Sequence, residues 1–98
     1  MAKVIVTMNY DVDETKRDAY LSAVEELKSH YATNPYVSYF VCEQKGKKNA
    51  FAEIYLAHSE VAYRKFEESE DDVADQIAAK LTPFISGKQK YTTYIEAV

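Results

Sequence analysis

The sequence predicts an α+β fold of order βαββαβ. This is the ferredoxin-like arrangement, with helices packed on one face of a four-stranded antiparallel sheet. Three observations predict it. The strand-like blocks are short, rich in β-branched and aromatic residues, and end in turn-forming or polar residues. The helix-like blocks carry apolar residues at steps of three and four. The blocks follow one another as strand, helix, strand, strand, helix, strand within 98 residues, with no spare linker. That length fits a single domain over residues 1–98.

The first strand is expected over residues 3–10. Val4, Val6 and Met8 share one face, and Ile5, Thr7 and Asn9 share the other. Both faces carry apolar residues, so both are expected to be covered. Asp11-Val12-Asp13 forms the turn. The first helix is expected over residues 14–31, capped by Asp13 or Thr15. Tyr20, Ala23, Val24, Leu27 and Tyr31 form its core stripe, and Lys16, Arg17, Glu25 and Lys28 lie opposite. Thr33-Asn34-Pro35 stops it, because the residue before a proline disfavours the helical region. Strands over residues 36–44 and 50–56 form a hairpin whose loop, residues 45–49, turns at Gly46. Val37, Tyr39 and Val41 oppose Ser38, Phe40 and Cys42 across the second strand. In the third strand Phe51, Glu53 and Tyr55 oppose Ala52, Ile54 and Leu56.

Residues 59–85 hold a split helical block. Its stripe begins at Ala62 and Phe66 and resumes at Val73, Ile77, Leu81 and Phe84, interrupted by the acidic stretch 67–72. Ser69 is the expected cap of a second helix, with Asp72 three residues on. Pro83 and Gly87 end the block. The last strand is expected over residues 90–98.

The net charge of −4 argues against nucleic acid as the main partner, since phosphate binding draws on clustered Lys and Arg. The one basic cluster, Lys45-Gly46-Lys47-Lys48, reads as a solvated hairpin turn. The single cysteine, Cys42, excludes an internal disulfide. It sits in an apolar run and is expected to be a small buried residue. The first apolar stretch is too short for a signal peptide, and no segment approaches membrane-spanning length. A cytoplasmic location is the default expectation, with no membrane partner.

Taken together, several segments resemble the antibiotic-biosynthesis monooxygenase-like family of the dimeric α+β barrel superfamily. A first strand runs into Asn9, and a hairpin pair follows a proline-containing helix stop. The stretch Ala62-Tyr63-Arg64-Lys65-Phe66-Glu67-Glu68-Ser69 is similar to the family's helix in which an alanine and an aromatic precede a serine six residues on. Leu81-Thr82-Pro83-Phe84-Ile85 precedes the last strand. The resemblance implies a homodimer in which two sheets pack into a barrel with helices outside. It also implies cofactor-independent oxygenation of quinols or polycyclic aromatics, with no metal, in a pocket between sheet and helices.

Carried over by position, Asn9 matches an asparagine that contacts the oxygenated group in haem-degrading relatives; a turn-satisfying strand end is the alternative. The chain has no Trp, and residues 72–81 hold no His, which argues against haem degradation. The helix histidine of quinol-type relatives is matched by Lys65, so the usual neutral-pH base is missing. His58, at the end of the third strand, is the remaining histidine candidate for a catalytic base; a helix-start residue in solvent is its alternative role. His30 is expected to favour its helix C-terminus. Tyr39, Tyr55, Tyr63, Lys65, Phe66 and Phe84 are the candidate substrate-binding residues, with Tyr91 and Tyr94 as further aromatics. Core and interface packing is their alternative role. Glu53 and Glu96 lie mid-strand, and either becomes a candidate base if buried and unpaired.

Two functions follow. One is a monooxygenase acting on a quinol-like or phenolic aromatic. The other is a non-catalytic homodimer that binds a small aromatic or serves as an accessory protein. Open space between sheet and helices, with Asn9 facing it, favours the first. Space filled by Tyr and Phe favours the second.

Overall fold

The computed structural model describes residues 2–98. Alternation along β1 (Val4–Val12) buries Val4, Tyr10 and Val12 while Asn9 and Asp11 between them stay exposed. Asp13 caps the following turn, its Oδ1 accepting from the Thr15 N–H at 2.9 Å. One 3-10 turn, Glu14–Lys16, leads into α1 (Arg17–Tyr31), where Tyr20, Ala23, Val24, Leu27 and Tyr31 are the buried residues. After the helix stop, Asn34 Oδ1 accepts from the backbone N–H groups of Tyr36 and Val37 at 2.8 and 3.1 Å and turns the chain into β2 (Val37–Glu43). The hairpin to β3 (Ala50–Ala57) uses two left-handed residues, Gly46 at φ 84° and Asn49 at φ 66°.

The helical block breaks where the acidic stretch predicts, into α2 (Glu60–Glu68) and α3 (Asp72–Ala79). Its cap differs from expectation. Asp71, not Ser69, accepts from the Ala74 N–H at 3.0 Å, while the Ser69 hydroxyl donates back to the Phe66 carbonyl at 2.7 Å. Restarting at Asp72 shifts the apolar phase, so Ala74 is buried and Val73 is 52% exposed. A 3-10 turn, Thr82–Phe84, precedes β4 (Ile85–Ile95). This strand starts five residues earlier than expected, because Gly87 at φ 77° carries it through a bulge. On one side of the bulge Asn9 pairs with Lys90, and on the other Asp11 pairs with Ser86.

The described residues form one antiparallel sheet of order β2-β3-β1-β4. This is the ferredoxin-like arrangement. The core lies on one face, where the helices cover Val4, Tyr10, Val37, Tyr39, Phe51 and Ala57, with Tyr63 and Phe66 of α2 packed against them. The opposite face carries Ile5, Thr7, Phe40, Ile54, Leu56 and Tyr94, with no helix over it. The expected cover on both faces is therefore only half supplied by one chain. Cys42 lies on this uncovered face and is exposed rather than buried, since it shares the phase of Ser38 and Phe40.

Candidate functional site

Alternation along β3 turns Glu53 toward the helices, in register with Met8 of β1 and Val41 of β2. It is 2% exposed, which is rare for a carboxyl. Its oxygens are held by phenols. Tyr39 donates to Oε1 at 2.7 Å, and Tyr10 donates to Oε2 at 2.9 Å. The Tyr10 and Tyr20 hydroxyls are 2.7 Å apart. Because Tyr10 uses its single hydrogen on Glu53, Tyr20 is the donor in that pair. Among the described residues, no Lys, Arg or His forms an ion pair with Glu53.

Burial pushes the Glu53 carboxyl above its ordinary range, and the two phenol hydrogen bonds pull it part of the way back. Burial, and then the Glu53 charge, push the Tyr10, Tyr39 and Tyr55 phenols far up. Burial does the same to Tyr20. All four phenols are therefore neutral donors at any ordinary pH.

Aromatic rings fill much of the layer around this group. Tyr39 and Tyr55 have centroids 5.0 Å apart, Tyr31 and Tyr39 5.1 Å, and Tyr55 and Phe66 5.7 Å. Beside Glu53 the packing leaves a cavity of about 220 Å³. Met8, Glu53 and Tyr55 wall it from the sheet, Ala78, Ala79 and Leu81 from the α3 side, and Gln89 and Tyr91 from β4. Tyr91 is 67% exposed and forms the solvent side of that wall. The volume lies below the 300–1,000 Å³ usual for drug-sized ligands.

The candidate residues from the sequence do not gather in one place. Tyr39, Tyr55 and Phe66 lie in the covered aromatic layer, and Tyr55 reaches the cavity. Phe84 and the half-buried Tyr63 pack at its margin. Lys65 is exposed on the outside of α2. Asn9 lies on the uncovered face, opposite in phase to Met8. There it lines a groove of about 440 Å³ with Cys42, Gln44, Lys88 and Lys90. His58 is exposed just beyond Ala57. Ala57 pairs with Val4 and Ala52 with Asn9, so His58 and Asn9 stand at opposite ends of the sheet, about 17 Å or more apart along the strands. The structure does not bring the two together. Glu96 is exposed and accepts from the Lys3 N–H at 3.0 Å.

Tyr10 and Tyr20 escaped the sequence reading as site residues. A signal was present: a tyrosine in the middle of an apolar stripe needs a partner for its hydroxyl. Tyr10 shares the phase of Met8, facing Tyr20 across the layer. His30 also has a partner beyond its own helix, its Nε2 lying 2.7 Å from Asp71 Oδ2. Among the described residues, no three His, Cys, Asp or Glu side chains gather as metal ligands. No helix of the described residues is long and apolar enough to cross a membrane.

The sequence matches no family model and no curated protein sequence. Solved structures match its fold along nearly the whole chain. A conserved protein from Methanosarcina mazei Go1 superposes with a TM-score of 0.84 at 13% identity, over 99% of this chain and 95% of its own. A candidate antibiotic biosynthesis monooxygenase from Caulobacter crescentus gives 0.82 at 17%, over 99% and 91%. SnoaB, a cofactor-independent oxygenase from Streptomyces nogalater, gives 0.71 at 13%, over 94% and 90%. At these identities the likeness establishes a common fold, one that several proteins carrying the antibiotic biosynthesis monooxygenase name share.

Proposed function

We propose that this chain is a monooxygenase of the antibiotic-biosynthesis type, acting on a small quinol-like or phenolic ring with Glu53 as its base. The observation that carries this reading is a buried carboxyl, paired with no Lys, Arg or His among the described residues, on the wall of a cavity between sheet and helices. Such a carboxyl prefers to be protonated more than a solvated one does, which suits it to remove a proton from a weakly acidic substrate.

In this reading the substrate loses a proton to Glu53, and the electron-rich anion passes one electron to O2. The carbon radical and superoxide combine into a carbon-bound peroxide. Its O–O bond breaks as a second substrate hydrogen leaves, giving a carbonyl and water. One oxygen atom enters the product and the other enters water. The substrate supplies all the electrons, so the step needs no outside reductant. Tyr55 and Tyr91 hold the ring, and Phe66, Phe84, Tyr39 and Tyr63 back them. Asn9, Lys65 and His58 lie outside this cavity and receive no role in it.

Residues 1–98 act as one domain in this reading, and the uncovered sheet face pairs with a second copy of the chain. The exposed, unpaired Cys42 suits a reducing compartment such as the cytoplasm.

A second reading, a binding or accessory dimer without catalysis, is favoured by the filled aromatic layer and by Asn9 facing away from it. Oxygen uptake by the purified protein with a panel of reduced quinols and polyphenols separates the two. Protein-dependent uptake that is lost in Glu53→Gln and kept in Asn9→Ala supports catalysis in this cavity. Loss in Asn9→Ala with Glu53→Gln intact moves the chemistry to the other face. No uptake above the spontaneous rate leaves the binding reading.

A further inference from the structure

We propose that Tyr10, Tyr20 and Tyr39 are positioning residues, a phenol relay that keeps Glu53 anionic and fixed beside the cavity without a neutralising cation. This rests on the reading of Glu53 as a base and deepens it. An anion in an apolar layer needs hydrogen-bond donors, and a Lys or Arg is the commonest solution. A cation would stabilise the carboxylate so well that it became a poor base. Two neutral phenols stabilise it less, and that is the arrangement present: Tyr39 on Oε1 at 2.7 Å and Tyr10 on Oε2 at 2.9 Å.

A carboxylate offers about four acceptor positions. The phenols use two, and the others remain for a proton arriving from the cavity that Glu53 lines. Tyr20 acts through Tyr10. By donating to the Tyr10 hydroxyl at 2.7 Å it commits the one Tyr10 hydrogen to Glu53 and polarises it. The three phenols come from separate elements, β1, α1 and β2, so two strands hold the carboxyl directly and the helix acts on it through Tyr10. No buried side-chain polar atom among the described residues is left unpartnered.

The other titratable groups facing this layer are Tyr31 of α1, Tyr55 of β3 and Tyr91 of β4, with Tyr63 of α2 and Tyr36 before β2 at its margin. Asp71 and Asp75, at the start of α3, act on Tyr31. None of them donates a hydrogen bond to Glu53. The proton taken from substrate returns from Glu53 to the oxygen that leaves as water, so the carboxylate is restored in each cycle.

The test is an NMR titration of the Glu53 side-chain carboxyl carbon in 13C-labelled protein, run on the wild type and on Tyr39→Phe, Tyr10→Phe and Tyr20→Phe. Each substitution keeps the ring and removes one hydroxyl. Tyr39→Phe and Tyr10→Phe should each move the midpoint upward by about one pH unit, a tenfold tighter proton, as expected for the loss of one hydrogen bond to a charged group. Tyr20→Phe should move it upward by less. Tyr36→Phe, remote from the carboxyl, should leave it in place. Where an enzymatic rate is measurable, the acid limb of its pH profile should move with the midpoint.

An unmoved or lowered midpoint in both Tyr39→Phe and Tyr10→Phe overturns the relay even if Glu53→Gln abolishes oxygen uptake. Raised midpoints in a protein without uptake keep the relay and remove the catalytic reading. If either direct-contact variant fails to fold, Tyr20→Phe decides, since it leaves both contacts to Glu53 in place. No upward movement there overturns the proposal.

Discussion

Glu53→Gln keeps the volume of a buried side chain and removes its charge. Because burial raises the Glu53 carboxyl above its ordinary 4.5, the folded state holds that proton more tightly than the unfolded chain does. Folding stability from this group is full below about pH 4.5 and is lost as pH rises through the raised value. Glu53→Gln has no such dependence. Urea titrations should therefore show the wild type losing stability relative to Glu53→Gln as pH rises above about 4.5. A constant difference as pH rises would mean that the phenol hydrogen bonds fully offset the burial of Glu53. Glu43 behaves in the opposite sense. The Arg17 guanidinium at 2.6 Å and the Asn49 N–H hold it down at about 2, so its contribution is present above 4.5 and fades as pH falls toward that value. The two groups thus act on opposite sides of one pH. Glu53 was legible in part: alternation placed it with Phe51 and Tyr55, and a mid-strand carboxyl asks to be explained. Tyr10 and Tyr20 were not, because they lie 43 and 33 residues away in sequence: Tyr10 reaches it only when β1 pairs with β3, and Tyr20 joins Tyr10 only when α1 packs on the sheet. Asn9 was legible in phase, opposite Met8. The family resemblance alone directed it to the pocket.

At the level of the elements, α3 depends on one side chain. Asp71 caps it through Oδ1 and pairs with His30 of α1 through Oδ2. Asp71→Ala should lower unfolding stability by about 1–2 kcal/mol, the usual cost of losing an N-cap. Asp71→Asn keeps the cap and removes the charge, so it should recover most of that loss and leave a deficit of at most about 1 kcal/mol from the surface pair with His30. Denaturant unfolding of both variants at pH 6 makes the comparison. Equal losses in the two would assign the stability to the charge rather than to the cap. Gly87 tests β4 in the same way. A Cβ there meets no atom within 4 Å, so Gly87→Ala pays only the left-handed backbone penalty of about 1–2 kcal/mol. The acidic stretch made the helix break visible in the sequence, but not which acid caps the new helix. Ser69, Asp71 and Asp72 are all good caps, and the choice falls to Asp71 because His30 waits beside it. The early start of β4 was hidden for a different reason: Pro83 and Gly87 both read as terminators, and a glycine in a bulge looks the same in sequence as one that ends an element.

For the molecule as a whole, the question is what covers the second sheet face. The order of the periodic blocks was enough to give the topology, and apolar residues on both strand faces were enough to say that both want cover. The ferredoxin-like order also predicts a single helical layer, and the structure shows which residues that layer leaves bare: Ile5, Thr7, Phe40, Ile54, Leu56 and Tyr94. The shape reflects this. The radius of gyration is 13.7 Å and the extents are 41 × 30 × 20 Å. A single domain of this length has a radius of about 12.6 Å. The accessible surface is 6611 Å² for 11.2 kDa, where a folded monomer of that mass exposes about 5,700 Å². The excess of roughly 900 Å² is close to the ~800 Å² that each partner buries in a standard interface. Phe40, 39% exposed, and Tyr94, 56% exposed, sit on that face with Ile5, Ile54 and Leu56 between them. The purified protein should therefore sediment as a dimer at micromolar concentration. Ile54→Lys, which places a charge in the middle of the uncovered face and leaves the helix-covered core untouched, should sediment as a monomer with an unchanged far-UV spectrum. A wild-type monomer would remove the second copy as the cover for this face. A dimer unaffected by Ile54→Lys would shift the contact to the β4 edge, where Tyr91 and Ile95 are also exposed, and would place the partner beside the cavity that Glu53 lines.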